Sequence, residues 1–332
     1  MQHSNVIKKI QTALNISQTG FLDEPTKAAI RNFQMTAGVK ATGLIDDDTL
    51  DKLSTRTSFV NDGQETDQSA IGTYDSDPYT ELYDNEAYAD FSFSSDLFES
   101  NSAGVKPYHL DQGQYVDEIT NKKMIFLHHT AGWENPYKTI KWWNNDQRGR
   151  VGTEYVIGGI NFRTDNKKYD GTILRAFPEG NWIYHLGGYK RHGITPEMVK
   201  ESIGIEICNF GWLTEKFGKY YTYTGTEVPE KYVTKLDKPF RGYEYWHSYS
   251  DAQIKALEKL LRYLSYTYHI DLTRGLREEL IMTYDKHTAF EYNEDFMRYP
   301  KPGIWSHTTV RKDKTDVYPH PKLISMLEKL HY

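Results

Sequence analysis

Cysteine is almost absent: Cys208 is the single one in 332 residues. No intramolecular disulfide can form, so the fold requires no oxidising compartment. No apolar run approaches the ~20 residues a membrane span needs, so membrane insertion is not expected. The opening Met-Gln-His-Ser-Asn lacks a basic region followed by an apolar core, so no secretory signal is expected. The expectation is a chain made and folded in a cytosol unless exported by other means. Basic residues are missing from one long stretch. Residues 57–105 hold eleven Asp or Glu and no Lys or Arg, within a chain of net charge −6. The rest is therefore mildly positive, which suits an anionic polymer and is too weak to argue for nucleic acid.

Aromatic residues are plentiful, with 26 Tyr and 7 Trp. Both stack on sugar rings and both sit at half-wet surfaces, so composition alone leaves binding and packing roles open. The length predicts about two domains. Residues 1–55 contain an internal repeat: Thr19-Gly20-Phe21-Leu22-Asp23-Glu24-Pro25-Thr26 recurs 23 residues later as Thr42-Gly43-Leu44-Ile45-Asp46-Asp47-Asp48-Thr49. In each copy a Gly permits a tight turn and an Asp caps a helix. Apolar spacing predicts helices over 6–14, 24–35 and 47–53.

Residues 56–105 read as an acidic, aromatic-containing linker. Its seven aromatics between Tyr74 and Phe98 are too many for a purely solvated spacer, so a mobile start and a later part packed along a domain surface are expected. An adaptor that docks a partner is the alternative. From residue 106 strands alternate with helices. Strands are predicted over 123–128, 154–158, 172–177 and 202–209, and helices over 136–144, 250–266 and 322–330. Ser250 and Gln253 form a capping box. The expected class is α/β, a mixed central β-sheet flanked by helices, preceded by a small three-helix domain. Two insertions, 211–248 and 273–305, read as long functional loops whose aromatics line a substrate groove.

Three separated segments carry chemistry. Met124-Ile125-Phe126-Leu127-His128-His129-Thr130-Ala131-Gly132-Trp133 reads as a buried strand ending in two histidines that point to opposite faces. A metal ligand and a histidine capping a core strand are both open readings of it. Ser202-Ile203-Gly204-Ile205-Glu206-Ile207-Cys208-Asn209 places Ile203, Ile205 and Ile207 on one face and Gly204, Glu206 and Cys208 on the other. Trp305-Ser306-His307 is followed by Lys314-Thr315-Asp316-Val317-Tyr318-Pro319.

Together these segments resemble the zinc-dependent N-acetylmuramoyl-L-alanine amidases of the type 2 family, which share a fold with peptidoglycan recognition proteins. The repeat over residues 4–54 resembles a three-helix peptidoglycan-binding domain. The resemblance implies three parts: a peptidoglycan-binding domain at 1–55, the linker at 56–105, and a zinc amidase domain at 106–332. It implies one Zn2+ per chain, held by His128, His307 and Asp316, with His129, Asp313, His320 and His287 as competing ligands. It implies Glu206 as the acid/base, Lys314 as the oxyanion partner, and His185, Thr130, Trp133 and Asn209 at the substrate. Gly204 would leave the substrate room. Thr153 stands where some relatives have a catalytic Tyr, and Glu154, where many have His, is a competing acid. The implied reaction is hydrolysis of the amide between N-acetylmuramic acid and L-alanine. Alternatives are a non-catalytic recognition or virion-structural protein and a zinc peptidase cutting within the stem peptide. The implied setting is a monomeric, phage endolysin-like enzyme acting on bacterial peptidoglycan. It would pass from host cytoplasm to cell wall with a holin's help, or be carried on a virion.

Overall fold

The computed structural model describes residues 2–19, 23–43, 49, 52–53, 104–187 and 192–330. The chain divides into two compact units, Met1–Ser100 and Asn101–Tyr332. The expectations for residues 56–103, and most of the helix expected at 47–53, lie outside the described residues.

In the first unit, α1 (Gln2–Ala13) and α2 (Glu24–Thr36) bury Ile7, Ile10, Ile30 and Phe33. Asp23 caps α2 by accepting a hydrogen bond from the Thr26 amide, and proline occupies the first turn, where its missing N–H costs nothing. The repeat extends to a residue pair that the motif alone did not reveal. Gln11 and Gln34, also 23 apart, are fully buried. The Gln11 amide donates to Thr19 (2.7 Å) and Thr26 (2.8 Å), and the Gln34 amide donates to Thr42 (3.0 Å) and Thr49 (2.6 Å). Each copy's two threonines are thus tied to the helix before it, because a buried amide must be satisfied.

The second unit is built on a six-stranded mixed sheet. Its strands are β1 (Lys106–Pro107), β2 (Met124–His129), β3 (Tyr155–Ile157), β4 (Ile173–Arg175), β5 (Ser202–Ile207) and β11 (Gly303–Ser306), in the order β1-β4-β3-β5-β2-β11. Only the β3–β4 pair is antiparallel. Every residue of β2 is buried, as a central parallel strand covered on both faces requires. Helices α3 (Pro136–Asn144), capped by Asn135, and α4 (Pro196–Lys200) cover one face. They pack Ile140 and Trp143 near Val156 and Cys208, and Met198 and Val199 near Met124 and Phe126.

The insertion over 211–248 is not a loop. It folds as a five-stranded antiparallel sheet of β6 (Trp212–Lys216), β7 (Lys219–Tyr221), β8 (Glu227–Val228), β9 (Val233–Phe240) and β10 (Tyr243–His247), ordered β8-β7-β6-β10-β9. Gly218, Gly225 and Gly242 turn its hairpins with positive φ. The aromatics expected to wall a groove are partly sheet packing: Trp212 stacks on Tyr243 at 4.3 Å, and Tyr220 meets Tyr245 at 4.9 Å. Helix α5 (Asp251–Tyr268) follows, with both bonds of the Ser250–Gln253 capping box formed. The second insertion is also ordered, containing α6 (Leu276–Met282), α7 (Glu294–Arg298) and β11. Gly275 is obligatory at its start, since φ is +82° and a Cβ there would lie 2.0 Å from the Ile304 carbonyl oxygen. The chain ends in α8 (His307–Val310) and α9 (Pro321–Glu328). Among the described residues, no helix is long and apolar enough to cross a membrane.

Candidate metal centre

Register brings the candidate ligands together. In the β2–β11 pair Leu127 is level with Ser306, so His128 and His307 leave the sheet side by side. On the other side of β2, His128 is level with Glu206. The tail returns so that the Thr308 amide donates to the Asp316 carbonyl at 3.1 Å, which delivers Asp316 to the same point.

Among the described residues, His128, His307 and Asp316 form a buried group of metal-ligating type. The His128 and His307 Nδ1 atoms are 3.0 Å apart. Asp316 Oδ2 lies 2.9 Å from His307 Nδ1 and 3.3 Å from His128 Nδ1. Ligands about 2.0–2.1 Å from a tetrahedral zinc are separated from one another by roughly 3.3 Å, close to this triangle. The charge state fits too. Burial lowers the His128 pKa to about 4, with His307 adding to the effect and Asp316 opposing it, so the ring is neutral at pH 7. Burial alone would raise the Asp316 carboxyl, but His307 and His128 hold it well below the usual carboxylate range. The His307 Nε2–H donates to the Leu186 carbonyl at 3.0 Å, which leaves its Nδ1 lone pair aimed at the centre. Two imidazoles and a carboxylate are a donor set zinc takes, and the three residues leave a fourth position open.

The competing ligands are engaged elsewhere. His129 lies on the opposite side of β2, with Nδ1 3.2 Å from the Tyr249 hydroxyl. Asp313 is held by Arg311, His320 caps α9, and His287 pairs with Asp237 at 3.1 Å.

Glu206 is half-buried, and its Oε2 has no hydrogen-bond partner. Burial and the Asp316 charge push its carboxyl well above the usual range, while Lys314 pulls it down. Glu206, Lys314 and the ligand triad therefore belong to one electrostatic neighbourhood. Thr130 is half-buried, and its hydroxyl accepts from the Asn209 amide at 3.2 Å. Trp133 is exposed, stacks on Phe162 at 5.2 Å, and carries the Arg163 guanidinium 4.8 Å from its ring centroid.

Three sequence expectations need correction. Asn209 has no free group to offer a substrate: it is fully buried, its amide nitrogen donates to the His247 (2.8 Å) and Ser248 (3.2 Å) carbonyls, and its oxygen accepts from Gly211 at 2.7 Å. His185 is also buried, with both ring nitrogens engaged by protein, Nδ1 by His128 at 3.1 Å and Nε2 by Ser202 at 2.8 Å. The space above Gly204 is filled by protein rather than kept for substrate. A Cβ there would lie 2.8 Å from Thr153 Cγ2 and 3.0 Å from His185 Cγ.

Glu154 belongs to a different buried group. Neither of its carboxyl oxygens has a well-formed hydrogen bond, and the charges acting on it are Lys122, Glu179 and Arg175 rather than the triad. Burial raises its pKa to about 8 against Lys122's pull. From about pH 4.5 to 8 the folded protein thus holds a proton that the unfolded chain has released, so this group's contribution to stability falls as pH rises. Glu154→Gln mimics the protonated form. It is expected to be near neutral at pH 5 and to stabilise by about 1–3 kcal/mol at pH 8. Urea midpoints of wild type and variant at the two pH values check this; a difference that does not change with pH would refute it.

Residues 119–321 match the N-acetylmuramoyl-L-alanine amidase family, and residues 4–53 match a putative peptidoglycan binding domain. No curated protein matches this sequence significantly. Solved structures similar to parts of the chain include PlyL, at 13% identity over 69% of this chain and 97% of that one, TM-score 0.37. AmiD from E. coli, solved with anhydro-N-acetylmuramic acid-L-Ala-D-gamma-Glu-L-Lys, is 18% identical over 50% of each chain, TM-score 0.29. The Ph2119 endolysin from Thermus scotoductus MAT2119 bacteriophage Ph2119 is 14% identical over 66% of this chain and 92% of that one, TM-score 0.30. Likenesses this distant carry no argument. The family match spans more than half of the sequence and contains β2, β3, β4, β5 and β11 of the sheet, the triad and Glu206, and on that ground the chain belongs to the N-acetylmuramoyl-L-alanine amidase family.

Proposed function

We propose that this protein is a zinc-dependent amidase that hydrolyses the bond between the lactyl group of N-acetylmuramic acid and the stem-peptide L-alanine. The observation that carries the reading is the buried convergence of His128 Nδ1, His307 Nδ1 and Asp316 Oδ2 beside Glu206, within a family-matched amidase sheet. A bound zinc would polarise the scissile carbonyl and bring the pKa of water toward neutral. The protein's own residues supply the rest. His128, His307 and Asp316 would hold the metal. The Glu206 carboxylate takes the proton of the attacking water and hands it to the leaving amine nitrogen. The Lys314 ammonium offsets negative charge developing on the carbonyl oxygen. Thr130 and Trp133, which follow β2 in the chain, would orient the substrate.

The N-terminal unit, matched to a peptidoglycan-binding domain, would hold the enzyme on its polymeric substrate and raise the local concentration of cleavable bonds. A wall binder joined to a wall hydrolase fits lysis of bacterial cell wall, with delivery by a holin or on a virion. Purified, zinc-loaded protein is expected to release stem peptides carrying a new L-alanine amino terminus from murein, as read by mass spectrometry. Products cut inside the stem peptide would overturn the bond assignment. No release at all would leave a recognition protein.

A further inference from the structure

We propose that His185 and Ser202 are positioning residues that fix the tautomer of His128, so that its Nδ1 lone pair faces the metal position. The proposal rests on the zinc reading of the site and concerns how this chain prepares one ligand.

The order of donors is dictated from one end. The Ser202 hydroxyl lies 2.5 Å from the Met198 carbonyl and 3.2 Å from the Val199 carbonyl. Carbonyls only accept, so the single hydroxyl hydrogen is spent there. Ser202 Oγ can then only accept from His185 Nε2, 2.8 Å away. The His185 ring is buried and its two nitrogens face a serine hydroxyl and another imidazole, with no carboxylate bonded to either, so the geometry accommodates the ring with a single hydrogen. With that hydrogen on Nε2, Nδ1 carries a lone pair and accepts from His128 Nε2–H at 3.1 Å. His128 Nδ1 is left without a hydrogen, turned toward His307 Nδ1 and Asp316 Oδ2. His307 reaches the same state in one step, through the Leu186 carbonyl. For His128 the backbone carbonyls of α4 act through two side chains.

Packing holds the relay in place. The His128 and His185 rings meet edge to face, 5.2 Å apart at 84°, and Phe126 lies 5.9 Å from the His185 ring. Gly204 makes the space, because a Cβ at that position would press on His185 Cγ. Ser202, Gly204 and Glu206 alternate on β5 and so face the same way. One strand therefore orients the ligand, clears room for the orienting ring and presents the acid/base.

Two measurements test this. In metal-free wild type labelled with 15N-histidine, long-range 1H–15N correlations are expected to show His128 protonated on Nε2. Protonation on Nδ1 overturns the proposal whether or not the protein uses zinc. Zinc affinity by chelator competition is expected to fall about 10–100-fold in His185→Leu, the range for loss of an outer partner of a ligand. In Ser202→Ala it is expected to fall by a similar or smaller factor, since His185 can then turn its hydrogen toward His128. His185→Asn, whose Oδ1 can stand in for Nδ1 as the acceptor, is expected to recover most of the affinity. If His185→Leu binds zinc as tightly as wild type, or His185→Asn is as weak as His185→Leu while both remain folded, the relay has no positioning role. A wild type that binds no zinc refutes the function above instead and leaves the tautomer result to stand on its own.

Discussion

Asp316→Ala is expected to abolish stable zinc binding and, with it, amidase activity. Asp316 is the only anion of the triad, and its Oδ2 contacts both imidazoles, at 2.9 and 3.3 Å. Without it, two neutral rings face a divalent cation in a buried site. That set is one ligand short of the three that catalytic zinc sites use. A buried ion without a compensating charge is also strongly disfavoured. The affinity loss should well exceed the roughly 10–100-fold typical of an outer partner. Asp316→Asn keeps the shape but not the charge and is expected to fail nearly as badly. His128→Ala should behave like Asp316→Ala. Elemental analysis after dialysis gives the metal content, and murein digestion gives the activity. Chelation of wild type by EDTA should remove both, and added zinc should restore both. One zinc per chain together with full turnover in Asp316→Ala would overturn the ligand assignment.

Much of this site could be read along the chain, because its parts obey local rules. The apolar run before His128 predicts a buried strand, and alternation separates His128 from His129. The isoleucines of β5 mark which face Glu206 occupies. Ser250 and Gln253 announce the start of α5, and the structure forms both of their bonds. What could not be read depends on registers between distant strands. Nothing local says that Leu127 pairs with Ser306, or His128 with Glu206, yet those pairings assemble the site. Sequence alone makes His185 and Asn209 look like substrate contacts, because polar residues beside a site look free until their partners are known. His128 and Ser202 are the partners of His185, and His247, Ser248 and Gly211 are those of Asn209. The insertion sheet was legible in principle. Trp212, Tyr220, Tyr221, Val233 and Tyr243 are strand formers, and Gly218, Gly225 and Gly242 sit between them, but the same aromatics also suit the walls of a groove. The Gln11–Gln34 spacing is also present in the sequence, eight residues before the start of each copy of the repeated motif.

Glu206→Gln separates holding the metal from moving the proton. Glutamine has the volume of glutamate and does not alter the triad, so zinc content should stay near wild type. Its amide cannot take a proton from water, and turnover is expected to fall by about 10²–10⁴, the usual contribution of a positioned general acid/base. The carboxyl is suited to the task by its surroundings. Burial and the Asp316 charge raise it above an ordinary glutamate, and Lys314 limits the rise. A base lifted in this way binds the water's proton more firmly than a solvated carboxylate and still releases it to an amine. The acidic limb of the kcat/KM profile that belongs to this base should vanish in Glu206→Gln. The Lys314→Met variant, lacking the opposing charge, should move that limb upward while losing oxyanion stabilisation. If Glu206→Gln turns over at the wild-type rate, the base lies elsewhere. Glu154 could not replace it without leaving the Lys122–Arg175–Glu179 neighbourhood in which it is buried. An unchanged rate would then point to a base contributed by the substrate or by water, and Glu206 would be only a partner of Lys314.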